Sequence, residues 1–400
     1  MKRGPGYREF VTLMAVMISI TALSIDMMLP ALPEIGRDLR VGHANDVQLV
    51  VTVLLFGMGI GQLVFGPLAD SFGRKPVILT GFVIFIMGCW LSVFSSRFEV
   101  MVIGRMIQGI GTGGPRTAIL ALVRDQYGGR AMARIMSVVM AIFIVVPAIA
   151  PAVGQAVLLT MGWRAIFGVL MIQGFVALTW FAVRQPETLS RDDRIPFSGS
   201  RILDAVLGVC KNRRSMGYTL ASGFIAGALM SYLSSAQQLF QEVYGLGREF
   251  PIYMAVLALF VGGASFVNSR IVMRFGMRAL SHRAVLLFIV LTTMFLAATC
   301  QMGGRPPLWL MMAFFAPSFF CMGILFGNLS AIAMDPLKHM AGIGAAIVGS
   351  LSNFISSSSG ALVGRCYDGS ALPLACGLVI LGILTAIAMR WSEKPPVVKR

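Results

Sequence analysis

The chain reads as an all-α membrane protein with twelve transmembrane helices in two six-helix halves, and three observations carry that reading. Apolar residues make up 57% of the chain and charged residues 12%, against about 25% charged in soluble domains, and mean hydropathy is +0.81. Uninterrupted apolar stretches of about 20 residues, each able to cross roughly 30 Å of hydrocarbon as a helix, recur from end to end. The apolar/polar alternation of a transmembrane barrel does not occur, so helices are the spanning element.

The spans fall at about 9–31, 47–69, 76–95, 99–123, 134–157, 163–184, 215–238, 251–272, 284–302, 307–334, 341–363 and 371–391, set by the length a bilayer demands. Most of the 33 lysines and arginines then lie on one side. Lys2, Arg3 and Arg8 precede the first span, Arg74 and Lys75 follow the second, and Arg124, Arg130 and Arg134 follow the fourth. Further basic residues run from Arg184 to Arg214, through Arg270, Arg274, Arg278, Arg283 and Lys338, to Arg390, Lys394, Lys399 and Arg400. The opposite loops hold Arg37, Arg40, Arg97, Arg164, Arg248, Arg305 and Arg365. Positive residues mark the cytoplasmic side, so both termini are expected there. The net charge of +16 is thereby explained without a nucleic-acid partner. The first apolar run is too long for a cleavable leader and carries Asp26, so none is expected.

The longest polar stretch, 185–214, divides the chain into expected bundles 1–184 and 215–400 joined by a cytoplasmic linker. A weak repeat supports the division: Phe72-Gly73 after the second span is echoed by Phe275-Gly276 after the eighth. Parallel repeats of this kind predict a binding site between two halves near the midplane and alternating access. Between the second and third spans, residues 66–75 (Gly-Pro-Leu-Ala-Asp-Ser-Phe-Gly-Arg-Lys) leave almost no loop. Gly66 and Gly73 permit a tight hairpin, while Asp70, Arg74 and Lys75 hold its tip in water. Asp70 with Arg124, and Arg74 with Asp125, are the expected ion pairs of a gate; the plainer reading is solvated charges that set topology.

Ionisable residues within the spans are costly and therefore the strongest pointers to function. Asp26 lies about five residues from the outer end of the first span, roughly 8 Å, and Arg105 about six residues into the fourth from the same side, roughly 9 Å. A carboxyl at such depth can be held neutral by desolvation or charged by a nearby arginine, so its proton affinity can follow exposure and cargo. Asp26 is thus either a coupling site or a structural contact at the kink made by Pro30. Arg105 either organises Asp26 and the first span or braces helices. Arg116, three turns on, shares a face with Arg105; it either reads anionic or zwitterionic cargo or pairs with an acid. Gln155, Gln237, Gln238, Asn268, Asn328, Asn353 and the run Ser356 to Ser359 are candidates to line a substrate cavity, though such small and amide side chains commonly join membrane helices.

Six cysteines occur singly, without a CxxC, and are read as packing residues. No lysine follows a glycine, so there is no Walker A loop; His43, His282 and His339 show no HExxH spacing, and no GxSxG occurs. The chain is therefore not expected to be an enzyme, and no cofactor or metal is expected. A channel would want a repeated selectivity element or a charged ring, which the sequence lacks.

The 66–75 segment and Arg105-Met-Ile-Gln108-Gly109-Ile-Gly111 resemble two signatures of the major facilitator superfamily. The stretch Asp26-Met-Met-Leu-Pro30, the segment 241–246 and the region 323–349 resemble the bicyclomycin/chloramphenicol-resistance (Bcr/CflA) drug:proton antiporters. The resemblance covers nearly the whole chain. It implies a proton role for Asp26, four residues before Pro30, and a gate built on the 66–75 segment. Pro147, Pro151 and Gly154, at i, i+4 and i+7, look like the antiporter signature of the fifth helix, which packs against the other half; Val146 stands where the usual signature has glycine. Arg116 is an addition to the pattern. The resemblance implies a monomeric exporter in the bacterial cytoplasmic membrane, driven by the proton gradient, that moves small amphiphilic compounds. An exporter of one metabolite, siderophore or sugar on the same fold is the alternative.

Overall fold

The computed structural model describes residues 5–127 and 129–393. The helices are α1 (Tyr7–Asp26), α2 (Leu32–Asp38), α3 (Leu49–Phe72), α4 (Arg74–Val93), α5 (Phe98–Gln126), α6 (Gly129–Met161) and α7 (Trp163–Arg184). After them come α8 (Gly199–Lys211), α9 (Arg213–Gln237), α10 (Phe250–Phe275), α11 (Met277–Gln301), α12 (Leu308–Met334), α13 (Ala341–Arg365) and α14 (Leu372–Glu393). Among the described residues twelve of these have 20 residues or more; only α2 and α8 are shorter. The fold is the all-helical, multi-pass one that the apolar runs predict.

The chain packs as two compact units, Met1–Ser198 with Ala236–Leu259, and Gly199–Ser235 with Phe260–Arg400. The last turn of α9, the π-helical stretch Gln238–Val243 and the start of α10 thus belong to the first unit. Within 185–214, expected as linker, residues 199–211 form α8. Its Ala205 and Val209 are buried, while Leu203 and Leu207 are exposed.

In the first unit α5 is the central helix, and glycine puts it there. Gly109 and Gly113 face α3 so closely that an added Cβ would strike the backbone of Leu54 or Met58, and at Gly111 it would strike the backbone of Phe85 on α4. Helices in a bilayer gain little from apolar burial against each other, so close backbone contact through small residues carries the packing. Gly73, at φ 106°, makes the turn between α3 and α4 in a region that favours glycine. In the second unit an aromatic core joins three helices: Phe295 of α11 lies 4.9 Å from Phe315 of α12, and Tyr232 of α9 lies 4.8 Å edge-on to Phe319.

Gly109→Leu should therefore destabilise the first unit by about 1–3 kcal/mol or more, because backbone cannot yield as a side chain would. Gly168→Leu on α7, where an added Cβ meets nothing within 4 Å, should be tolerated. Thermal stability by fluorescence-detected size exclusion checks the pair: G109L should melt well below the parent and G168L beside it.

Candidate functional site

The site is built around a guanidinium that reaches no water. Arg105 of α5 is 0% exposed. Its Nε donates to the Val50 carbonyl of α3 at 2.8 Å, one terminal nitrogen donates to Gln108 Oε1 at 2.6 Å, and the other to the Ser24 carbonyl of α1 at 2.9 Å. Gln108, one turn along the same face, passes the link on by donating Nε2 to Cys89 Sγ of α4 at 3.1 Å. The Phe167 ring of α7 lies under the guanidinium at 5.6 Å. One side chain thereby ties α5 to α1, α3 and α4, and covers α7. Of this set the sequence pattern marks Arg105 and Gln108; Ser24, Val50 and Cys89 carry no signal, since two act through backbone carbonyls and the third looks like an ordinary packing residue.

Asp26 ends α1 and is buried, 6% exposed. Its carboxyl makes no hydrogen bond or ion pair among the described residues. Of the two readings of Arg105, organising Asp26 and the first span or bracing helices, the geometry shows bracing that includes the first span: Arg105 holds the backbone of α1 two residues before Asp26, and its other donors go to α3 and Gln108. The chain turns at this point because Pro30 has no N–H to give the carbonyl of Asp26, four residues back. After Asp26 the α-helix gives way to a short 3-10 turn, Leu29–Ala31, and then α2.

Gly154 of α6 presses against the Met27 carbonyl so tightly that any side chain would collide with it. Within the first unit Gly154 thus meets the end of α1, next to Asp26. α6 runs through Pro147 and Pro151 as one helix, with Pro151 buried and Pro147 half-buried. Gln155, one residue beyond the contact, has an enclosed amide oxygen with no hydrogen-bond partner.

The other candidates divide. Gln237 and Gln238 are buried; Gln237 donates to Gln241 Oε1 at 3.2 Å and Gln238 to Asn45 Oδ1 at 2.8 Å, both within the first unit. Asn328 of α12 exchanges two 3.0 Å amide hydrogen bonds with Asn268 of α10, so it joins helices. Asn353 is half-buried on α13. The side chain of Arg116 lies outside the described residues, and so does any pairing or cavity it was expected to have.

At the α3–α4 tip the charges form a network in which the expected pair of Arg74 with Asp125 is present and the expected pair of Asp70 with Arg124 is not. Arg74 takes both acids, Asp70 at 2.5 Å and Asp125 at 3.1 Å, whereas Arg124 is exposed and forms no ion pair among the described residues. The geometry explains the correction: Arg74 begins α4 just across the Gly73 turn from Asp70 at the end of α3, and points its planar fork at the end of α5. Gly66 sits half-buried a turn below, beside the buried Pro67. Glu187, beyond α7, escaped the sequence reading. Its two oxygens accept the backbone N–H groups of Arg74 and Lys75 at 3.0 Å each, so a carboxylate caps the positive end of α4. Lys75 donates Nζ to the Ala182 carbonyl at 2.7 Å.

Long apolar helices, a buried arginine hub and a buried carboxyl unpaired among the described residues are features of an integral membrane protein. The chain belongs to the Major Facilitator Superfamily, whose family model matches residues 14–361. It is 31% identical over 379 residues to the uncharacterized MFS-type transporter YdgK of Bacillus subtilis, covering 94% of this chain and 93% of that one. It is 28% identical to a bicyclomycin resistance protein homolog of Haemophilus influenzae (95% and 94% covered) and 26% identical to the multidrug resistance protein MdtL of Salmonella heidelberg (97% and 96%). The human organic anion transporter MFSD10 (TETRAN) shares the fold, with a TM-score of 0.72 over 97% of this chain and 100% of that one at 16% identity.

Two outcomes follow. Arg105→Lys keeps the charge but cannot deliver three directed bonds, and should cost about 1.5–3 kcal/mol for each one lost, read as a lowered melting temperature in detergent. Arg74→Ala leaves Asp70 and Asp125 facing each other without a cation; transport should fall more than substrate binding, as measured by flux and equilibrium binding on one preparation.

Proposed function

We propose that the protein is a proton-driven exporter of small, amphiphilic, drug-like compounds. The observation that carries the proposal is the buried carboxyl of Asp26, which lies at the kink of α1 with no cation on it among the described residues. Family membership, together with relatives named for bicyclomycin and multidrug resistance, supports the direction and class of cargo. The proton gradient is the energy source, with no cofactor, and the unit of function is a monomer. The distribution of basic residues supports a bacterial cytoplasmic membrane location with both termini inside.

The mechanism rests on exchange at one group. A carboxyl enclosed in apolar surroundings favours its neutral form, and one exposed to water or to a cationic cargo favours the ionised form. Asp26 then takes up a proton when open to the outside and gives it up when cargo enters from the cytoplasm. Arg105 keeps α1, α3, α4 and α5 in register through the cycle, so the exchange depends on Asp26 alone. Gln155 and the contact of Gly154 with Met27 place α6 against the same kink, where movement of one helix is felt by the other. The Arg74 network holds the cytoplasmic ends of α3, α4 and α5 together and rearranges when access switches.

In reconstituted vesicles with an imposed pH gradient, a panel of antibiotics and dyes should include compounds that collapse the gradient. Asp26→Asn should keep expression and folding but lower gradient-driven flux at least tenfold. A panel in which no drug-like compound moves protons, while one metabolite, siderophore or sugar does, would replace the cargo class. Undiminished flux by D26N would end the coupling role.

A further inference from the structure

The second unit holds a basic cleft that the transport reading does not use. The first turns of α9 and α11 and the last turn of α14 meet at one face of the bundle, where Arg214, Arg278, His282, Ser392 and Glu393 line an open cavity of about 390 Å³. Its acids are already engaged. Glu393 accepts from the Tyr218 hydroxyl with one oxygen and lies 2.9 Å from His282 Nε2 with the other. Asp335, at the end of α12, pairs with a terminal nitrogen of Arg214 at 3.0 Å. The donors are not used up in the same way: Arg214 Nε is enclosed without a hydrogen-bond partner among the described residues, and Arg278, exposed, makes no hydrogen bond or ion pair among them and feels Glu393 only through space. The lining of the cavity therefore holds more guanidinium N–H donors than acceptors among the described residues.

The surroundings say what kind of acceptor fits. The cleft lies at the ends of membrane-length helices, the level of lipid headgroups. Its rim is apolar and exposed: Met277 beside Arg278, and Trp391 beside Ser392. Arg213 fixes Trp391 by donating to its carbonyl at 2.7 Å and lying over its ring at 5.2 Å, and tryptophan is the side chain suited to the boundary between headgroup and tail. Guanidinium groups match phosphate oxygens in geometry as well as charge, and basic pockets between helices at a membrane surface bind anionic headgroups.

We propose that this cleft binds a phosphate group, that of an anionic phospholipid, with Arg278 and Arg214 on the phosphate oxygens and the acyl chains over Met277 and Trp391. Native mass spectrometry of the purified protein in neutral detergent tests it, with phosphatidylglycerol, phosphatidylcholine and inorganic phosphate as probes. Phosphatidylglycerol should bind at least tenfold more tightly than phosphatidylcholine. Arg278→Gln, which breaks no ion pair, should remove most of that preference, and Arg278→Lys should keep part of it. Arg305→Gln, in the exposed loop between α11 and α12, should change nothing. Displacement of the lipid by millimolar inorganic phosphate would support a site that reads the phosphate itself, and resistance to it would support one that also needs the tails. Equal binding of the two lipids, or an unchanged preference in a folded Arg278→Gln protein, would overturn the proposal.

Discussion

A permanently charged side chain buried at membrane depth must find an acceptor for its hydrogens inside the protein, and Arg105 imposes that demand on the first unit. Its acceptors are fixed points: carbonyls of α1 and α3, and an amide on its own helix that is itself anchored to α4. Carbonyls of regular helices are reachable only where backbones come close. The glycines of α5 meet that condition, since any side chain at Gly109, Gly111 or Gly113 would push the neighbouring helix away. Charge satisfaction and close packing are thus one constraint seen from two sides.

That arrangement also decides what is left over. With the donors of Arg105 engaged elsewhere, the carboxyl of Asp26 stands buried, and unpaired among the described residues, at a break in α1 that Pro30 makes unavoidable. A carboxyl neutralised by a fixed cation would be poorly suited to taking up and releasing a proton; one that depends on solvent and cargo is well suited to it. Gly154 brings α6 onto the residue next to Asp26, so the proline-containing helix and the acidic kink form one mechanical unit.

The global fold was legible because membrane length and charge asymmetry act on whole segments: the twelve long helices fall on the expected apolar runs. The pairings were less so. Asp26 and Arg105 were expected at one depth, but depth cannot distinguish a contact with a carboxylate from one with the backbone carbonyl two residues away. The ion pair expected between Asp70 and Arg124 failed because Arg74 serves both acids, a choice of side-chain direction rather than of sequence spacing. Glu187 lies more than a hundred residues from the helix it caps, in a polar stretch with many equivalent acids. Asn268, the partner that makes Asn328 a helix joint, carries no mark that separates it from the other amides.

The central claim is that one carboxyl, free of Arg105, exchanges a proton for cargo. The most direct test counts protons released into weakly buffered detergent solution as a transported compound is titrated onto the purified protein. The account predicts release that saturates with binding in the parent, and binding without release in Asp26→Asn. Equal release by both proteins at equal occupancy would contradict it.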